Sequence, residues 1–89
     1  MNSFTTERFW KLYRNLPNEI RQQAREAYQH FLANPNHPGL QFKRVHSNRP
    51  IYSARINADY RVLGILDGEE IVWFWIGSHA EYDKLLSRL

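Results

Sequence analysis

The stretch that most constrains this chain is Ile71–Leu86, IVWFWIGSHAEYDKLL. Ile71–Ile76 is an unbroken apolar run that reads as a strand with both faces apolar. Gly77 follows, and a helix opens at once with Ser78-His79-Ala80-Glu81. This is a capping box: the Ser78 hydroxyl accepts from the Glu81 backbone N–H, and the Glu81 carboxylate reaches back to the Ser78 N–H. His79 and Tyr82 then lie in the first turn, where free N–H groups and the helix dipole favour an anion. A buried strand that delivers His and Tyr to a helix N-terminus can build a site. A well-capped helix explains the same residues without one.

The 89 residues make one domain, 1–89. With 43% hydrophobic and 15% aromatic residues, a compact core needs no staples. The chain has no cysteine, hence no disulfide framework and no thiolate metal site, which fits a reducing compartment. No apolar run approaches the ~18–20 residues that span a bilayer. The opening MNSFTTERFW lacks the basic-then-apolar order of a secretion signal. The expectation is a cytoplasmic protein without a membrane partner.

Net charge is +3, unevenly spread. Residues 35–62 carry Lys43, Arg44, Arg49, Arg55 and Arg61 against Asp59 alone, whereas residues 63–89 carry two Lys/Arg against five acids. A basic central segment is an electrostatic footprint for phosphate, so nucleic acid is the first partner to consider. An ordinary solvated basic surface, or a dock for an acidic protein, accounts for the same charges.

In chain order, residues 6–15 read as a helix capped by Thr5 or Thr6, with Phe9, Leu12, Tyr13 and Leu16 at helical spacing. Pro17 opens a second helix over about 17–33, with Ile20, Ala24, Ala27, Tyr28 and Phe31 on one stripe. A link so short packs the two as an antiparallel hairpin. After the loop 34–40 the period becomes extended. Strands are expected at 41–46, 51–57, 60–66 and 69–76, the last two joined by the hairpin signal Asp67-Gly68. A closing helix over 79–88 turns Tyr82, Leu85, Leu86 and Leu89 to the core. The expected fold is α+β: a helical hairpin on one face of a four-stranded antiparallel meander, with a short C-terminal helix as the second cover.

Strand alternation places Ser53, Arg55 and Asn57 on one face and the apolar Tyr52, Ala54 and Ile56 on the other, against the hairpin. Lys43 and Arg44 leave opposite faces, so at least one shares the face of Arg55. Which face Arg61 takes stays open, as does an ion pair between Arg61 and Asp59. Trp73 and Trp75 alternate onto one face and Phe74 onto the other. No Gly-rich phosphate loop, HExxH motif or nucleophile elbow is present. The four histidines have no metal-ligand spacing. Taken singly, each arginine is most simply a solvated or salt-bridged residue, His79 a surface residue and Tyr82 a core residue.

The order of these segments resembles the RelE/ParE superfamily of toxins from type II toxin–antitoxin modules. The matching residues are Phe42-Lys43-Arg44-Val45, the strand Tyr52–Ile56, Tyr60-Arg61-Val62-Leu63, the Asp-Gly hairpin, and Ile76-Gly77 followed by His79 and Tyr82. With the preceding helices, the likeness spans about residues 6–89. The RelE branch implies a ribosome-dependent endoribonuclease that cleaves mRNA without metal or other cofactor, by attack of the RNA 2′-OH on the adjacent phosphate. Basic side chains would stabilise the developing charge, and positioned groups would move the protons. Carried onto this sequence, the likeness implies Arg61, His79 and Tyr82 as catalytic residues and Lys43, Arg44 and Arg55 as substrate-binding residues. Arg61 would meet the transition-state charge, His79 is the candidate base, and Tyr82 would orient or stack on the substrate. The partners implied are a cognate antitoxin and mRNA on the ribosome. Two departures stand out. MNSFTTERF offers no N-terminal strand, so the sheet is expected to lack an edge, and Pro38–Gln41 holds no glutamate where some relatives carry a base. The alternative is a non-catalytic toxin of the ParE branch that acts on DNA gyrase, or an inert relative that only binds an antitoxin.

Overall fold

The computed structural model describes residues 1–89. In chain order the elements are β1 (Asn2–Thr5), α1 (Glu7–Arg14), α2 (Asn18–Ala33), β2 (Lys43–Arg44), β3 (Ile51–Arg55), β4 (Tyr60–Asp67), β5 (Glu70–Ser78) and α3 (His79–Arg88). A single turn of 3₁₀ helix, Pro38–Leu40, leads from α2 into the sheet. No helix is long and apolar enough to cross a membrane.

The sheet has five strands in the order β1-β5-β4-β3-β2. The antiparallel meander of the last four is as expected, and α3 starts and ends where the sequence places it. The missing edge is not missing. Asn2–Thr5 runs parallel to β5, with the Asn2 N–H donating to the Glu69 carbonyl (2.7 Å) and the Thr6 N–H to that of Trp73 (3.1 Å). The sheet is therefore mixed. The four residues NSFT show no alternation of their own; the strand exists because β5 supplies its backbone partners. At the other edge β2 shrinks to two residues, and its start is set by Gln41, which closes the 3₁₀ turn in a left-handed conformation (φ 47°).

The Asp67–Glu70 hairpin forms as read, with Gly68 at φ 59° in the first loop position, the geometry of a type II′ turn. Helix α1 is capped by the Thr6 hydroxyl, which accepts from the Phe9 N–H. Pro17 precedes α2 as its cap residue rather than sitting inside its first turn, and no side chain caps that helix.

One expectation about the core is overturned. Trp73 and Trp75 do not share a face. Leu63 pairs with Trp75 and Gly64 with Trp73, so Phe74 is an extra residue, a bulge. The bulge breaks the two-residue period and sends the indoles to opposite sides. Trp73 joins Phe9, Phe31, Leu40, Ala54, Ile71 and Ile76 under α1 and α2. Trp75 joins Ile51, Leu63 and Tyr82 under α3, flanked by Leu85, Leu86 and Leu89. Both faces are thus covered, as two apolar-faced strands require.

The two N-terminal helices are not a closed hairpin. Near their connection the Arg25 guanidinium donates to the Tyr13 hydroxyl (2.7 Å) and that of Arg21 to the Arg14 carbonyl (3.4 Å). Over the sheet both helices line an apolar groove of about 570 Å³. Phe4, Trp10 and Tyr28 border it and remain exposed, and Arg25 is the one charged residue in its lining.

Candidate functional site

Register decides which basic residues meet. Lys43 pairs with Ser53, Arg55 with Arg61, and Arg61 with Gly77. Residues directly opposite in a ladder point to the same face, so Lys43, Ser53, Arg55 and Arg61 all stand on the α3 face. This fixes what alternation left open: Arg61 joins Arg55, and of the first-strand pair it is Lys43 that shares their face. Arg44 pairs with Tyr52 on the other face, and its Nε donates to the His46 carbonyl (2.9 Å).

Helix α3 leaves β5 without a loop, so its first turn hangs over this patch. The result is a small polar cleft of about 80 Å³ lined by Gln41, Lys43, Ser53, Arg55, Arg61, His79 and Tyr82. Of the six residues nominated from sequence, Lys43, Arg55, Arg61, His79 and Tyr82 meet here and Arg44 does not.

The β3–β4 turn positions Arg61. The Asn57 side-chain carbonyl accepts from the Asp59 and Tyr60 N–H groups (2.8 and 2.9 Å), and its amide nitrogen donates to Gln23 of α2. The turn's backbone then holds the Arg61 guanidinium: one terminal nitrogen donates to the carbonyls of Asn57 (2.7 Å) and Tyr60 (3.0 Å). The ion pair with Asp59 is not formed. The same turn anchors the helix, since the His79 N–H donates to the Asp59 carbonyl (2.6 Å).

The capping box forms as read, with the Glu81 N–H on the Ser78 hydroxyl (3.2 Å) and the Ser78 N–H on the Glu81 carboxylate (3.4 Å). These bonds use first-turn N–H groups that would otherwise face an anion, so the positive character of the cleft comes from side chains. Lys43, Arg55 and Arg61 have no carboxylate partners; the one carboxylate contact of a cleft residue is that of His79 Nε2 with Asp83 Oδ2 (3.4 Å) at the helix surface. Arg55 and Arg61 are therefore like charges set directly opposite each other, an arrangement that costs stability unless an anion bridges them. The cleft can hold a phosphate between two guanidinium groups and an ammonium, with an imidazole at its rim.

Two residues of the cleft lie deeper than the rest. Tyr82 is 7% exposed and packs on Trp75, ring centroids 6.5 Å apart. Its hydroxyl donates to that of Ser53 (3.3 Å), which is 2% exposed. The sequence placed Ser53 on the face of Arg55 but did not single it out; its burial depends on α3 crossing above, which no local pattern announces. Alternation also puts Asn57 on that face, but it lies in the turn beyond β3 and its amide reaches Gln23 of α2 instead; Gln41 and Asp83 carry no sequence signal for the site. The Asx-turn spacing Asn57–Asp59 was the one available signal for that turn.

The family model of the ParE-like toxin domain matches residues 18–84. No curated protein matches the chain. Among solved structures it is similar to the YoeB/ParE toxin from Agrobacterium tumefaciens, at TM-score 0.70 and 14% identity, covering 89% of this chain and 99% of that one. It is similar to YafQ from E. coli strain BL21(DE3), at TM-score 0.73 and 12% identity over 91% and 96%. The RelB–RelE antitoxin–toxin complex from Methanococcus jannaschii matches at TM-score 0.70 and 17% identity over 92% and 96%. Identities this low establish the shared fold. The family model spans most of the chain, from α2 through the cleft-forming strands and into α3, and by that match the chain belongs to the ParE-like toxin domain family of the RelE/ParE superfamily.

Proposed function

We propose that this chain is the toxin of a type II toxin–antitoxin module and that it cleaves RNA at the cleft beneath α3. One observation carries the reading. Arg55 and Arg61 oppose each other in register with Lys43 beside them, and no carboxylate lines the cleft. Unpaired cations converging on a small concavity suit a phosphate diester.

The cleft's chemistry is that of 2′-OH attack. His79 takes the 2′-hydroxyl proton as the oxygen adds to phosphorus. Arg55 and Arg61 stabilise the charge that builds on the non-bridging oxygens. Lys43 gives a proton to the departing 5′-oxygen; an ammonium can release a proton to that strongly basic oxygen, whereas a guanidinium holds its own. The P–O5′ bond breaks, leaving a 2′,3′-cyclic phosphate and a 5′-hydroxyl. The ribosome would supply the mRNA in a strained, single-stranded form.

The proposed antitoxin has its own surface. The groove between α1 and α2 is apolar, lies on the opposite face of the sheet from the cleft, and has Arg25 as its single charge. An amphipathic segment with an acidic residue opposite Arg25 fits it. The solved complexes of RelB with RelE and DinJ with YafQ are antitoxin–toxin pairs on this fold.

Induction in cells with transcript-end mapping tests the reading. The expected result is growth arrest with mRNA cut inside reading frames, reduced at least ~100-fold by Arg61→Ala or His79→Ala, each checked to be folded. Full toxicity in both variants overturns the assignment. A DNA-damage response with intact mRNA assigns the fold to a gyrase-directed role instead.

A further inference from the structure

We propose that Ser53 contacts the substrate phosphate in this cleft, and that Tyr82 acts through Ser53 as a positioning residue rather than by stacking on a base. Ser53 is the one buried polar residue of the chain. Its neighbours Ile51, Leu63, Trp75 and Tyr82 form the core beneath α3. A hydroxyl in such surroundings is costly unless it is hydrogen-bonded, and an apolar pair in place of Ser53 and Tyr82 would serve packing at least as well.

The two hydroxyls share one hydrogen bond, so one of the two O–H groups is left without a protein acceptor. Tyr82 donates its O–H to Ser53 Oγ at 3.3 Å. In this sense of the bond Ser53 is the acceptor, and its own O–H is the one left to reach into the cleft. Lys43, Arg55 and Arg61, which share the cleft with it, carry only donors. The acceptor that completes the chain comes from outside, and an anionic oxygen is the group the neighbouring cations select. Tyr82 O–H, Ser53 O–H and the phosphate oxygen then form a hydrogen-bonded series in which each bond polarises the next. Tyr82, 7% exposed and turned inward, fixes the Ser53 rotamer and its donor direction.

This inference rests on the reading of the cleft as a phosphate site, and one titration separates the two. Uridine 3′-monophosphate is titrated into the folded protein at low salt, with binding followed by heat or amide shifts. Thermal unfolding of every variant is recorded alongside. Ser53→Ala weakens binding about tenfold, the low end for a hydrogen bond to a charged group, and Tyr82→Phe about threefold. The double variant binds no more weakly than Ser53→Ala alone, because the tyrosine acts through the serine. Arg61→Ala loses binding altogether. Ser53→Ala and Tyr82→Phe that lower the melting temperature but leave affinity unchanged show a purely structural pair and overturn the proposal, while loss in Arg61→Ala keeps the phosphate site. Unchanged affinity in Arg61→Ala overturns both.

Discussion

Arg55 and Arg61 stand opposite each other across β3 and β4, half-buried and without a carboxylate. Like charges so placed destabilise a sheet by roughly 0.2–1 kcal/mol, and a chain selected only for folding has no use for them. Arg55→Gln is therefore expected to raise stability in phosphate-free buffer at low salt. For a domain of this size the gain corresponds to a melting temperature higher by up to about 4–8 °C. The same variant binds phosphate and RNA more weakly. Its advantage disappears when salt or inorganic phosphate screens or bridges the wild-type pair. Calorimetry of both proteins with and without phosphate checks the sign; a melting temperature that falls in phosphate-free buffer refutes the repulsion argument. Arg61 is the harder residue to replace, because its guanidinium also satisfies carbonyls of the β3–β4 turn.

At the scale of elements, the joint between β5 and α3 decides the site. Gly77 ends the apolar run without leaving the sheet, and a Cβ there would lie 2.6 Å from Trp75 Cζ2 and 2.8 Å from Cη2. The missing side chain lets the indole lie along the strand under Tyr82. Gly77→Ala forces a rigid, buried ring to move, at a cost of about 1–3 kcal/mol, and shifts α3 relative to Arg61. Thermal unfolding should show the loss, and RNA cleavage should fall further than stability alone accounts for. Gly77→Ala with an unchanged melting temperature refutes the packing argument. What the sequence disclosed follows the range of the interaction. The capping box, the Gly68 turn and the boundaries of α3 depend on residues within four positions, and all were readable. The face of Arg61 depends on the ladder register with Arg55 and Gly77, and the depth of Ser53 and the strand Asn2–Thr5 depend on partners tens of residues away. The bulge at Phe74 shows how one inserted residue defeats alternation: Trp73 and Trp75 look like neighbours on one face and instead anchor two separate cores.

On the scale of the whole molecule, the sheet separates two surfaces of opposite character. The α3 face carries the polar, cationic cleft; the α1/α2 face carries the apolar groove with Trp10 and Tyr28 at its border, 41% and 39% exposed. Such separation allows a proposed toxin to be held by its antitoxin through the groove while the cleft is tested independently. Tyr28 makes no side-chain hydrogen bond and belongs to neither core, so Tyr28→Glu leaves the fold in place and sets a carboxylate in the apolar lining. Arg25→Glu reverses the groove's one charge. Each is expected to weaken the complex with the antitoxin by at least tenfold, about 1.4 kcal/mol, since a carboxylate at 28 takes Arg25, one turn away, from the antitoxin's acid, and one at 25 faces that acid as a like charge. Cleavage of RNA by the free protein should be unchanged, because the sheet lies between groove and cleft. In cells the two variants then escape neutralisation and arrest growth even when the antitoxin is co-expressed. Combining either with Arg61→Ala restores growth if toxicity comes from the cleft. Neutralisation that persists in both single variants places the antitoxin on another surface, and the edge strand β1, which carries the exposed Phe4, is then the next surface to substitute.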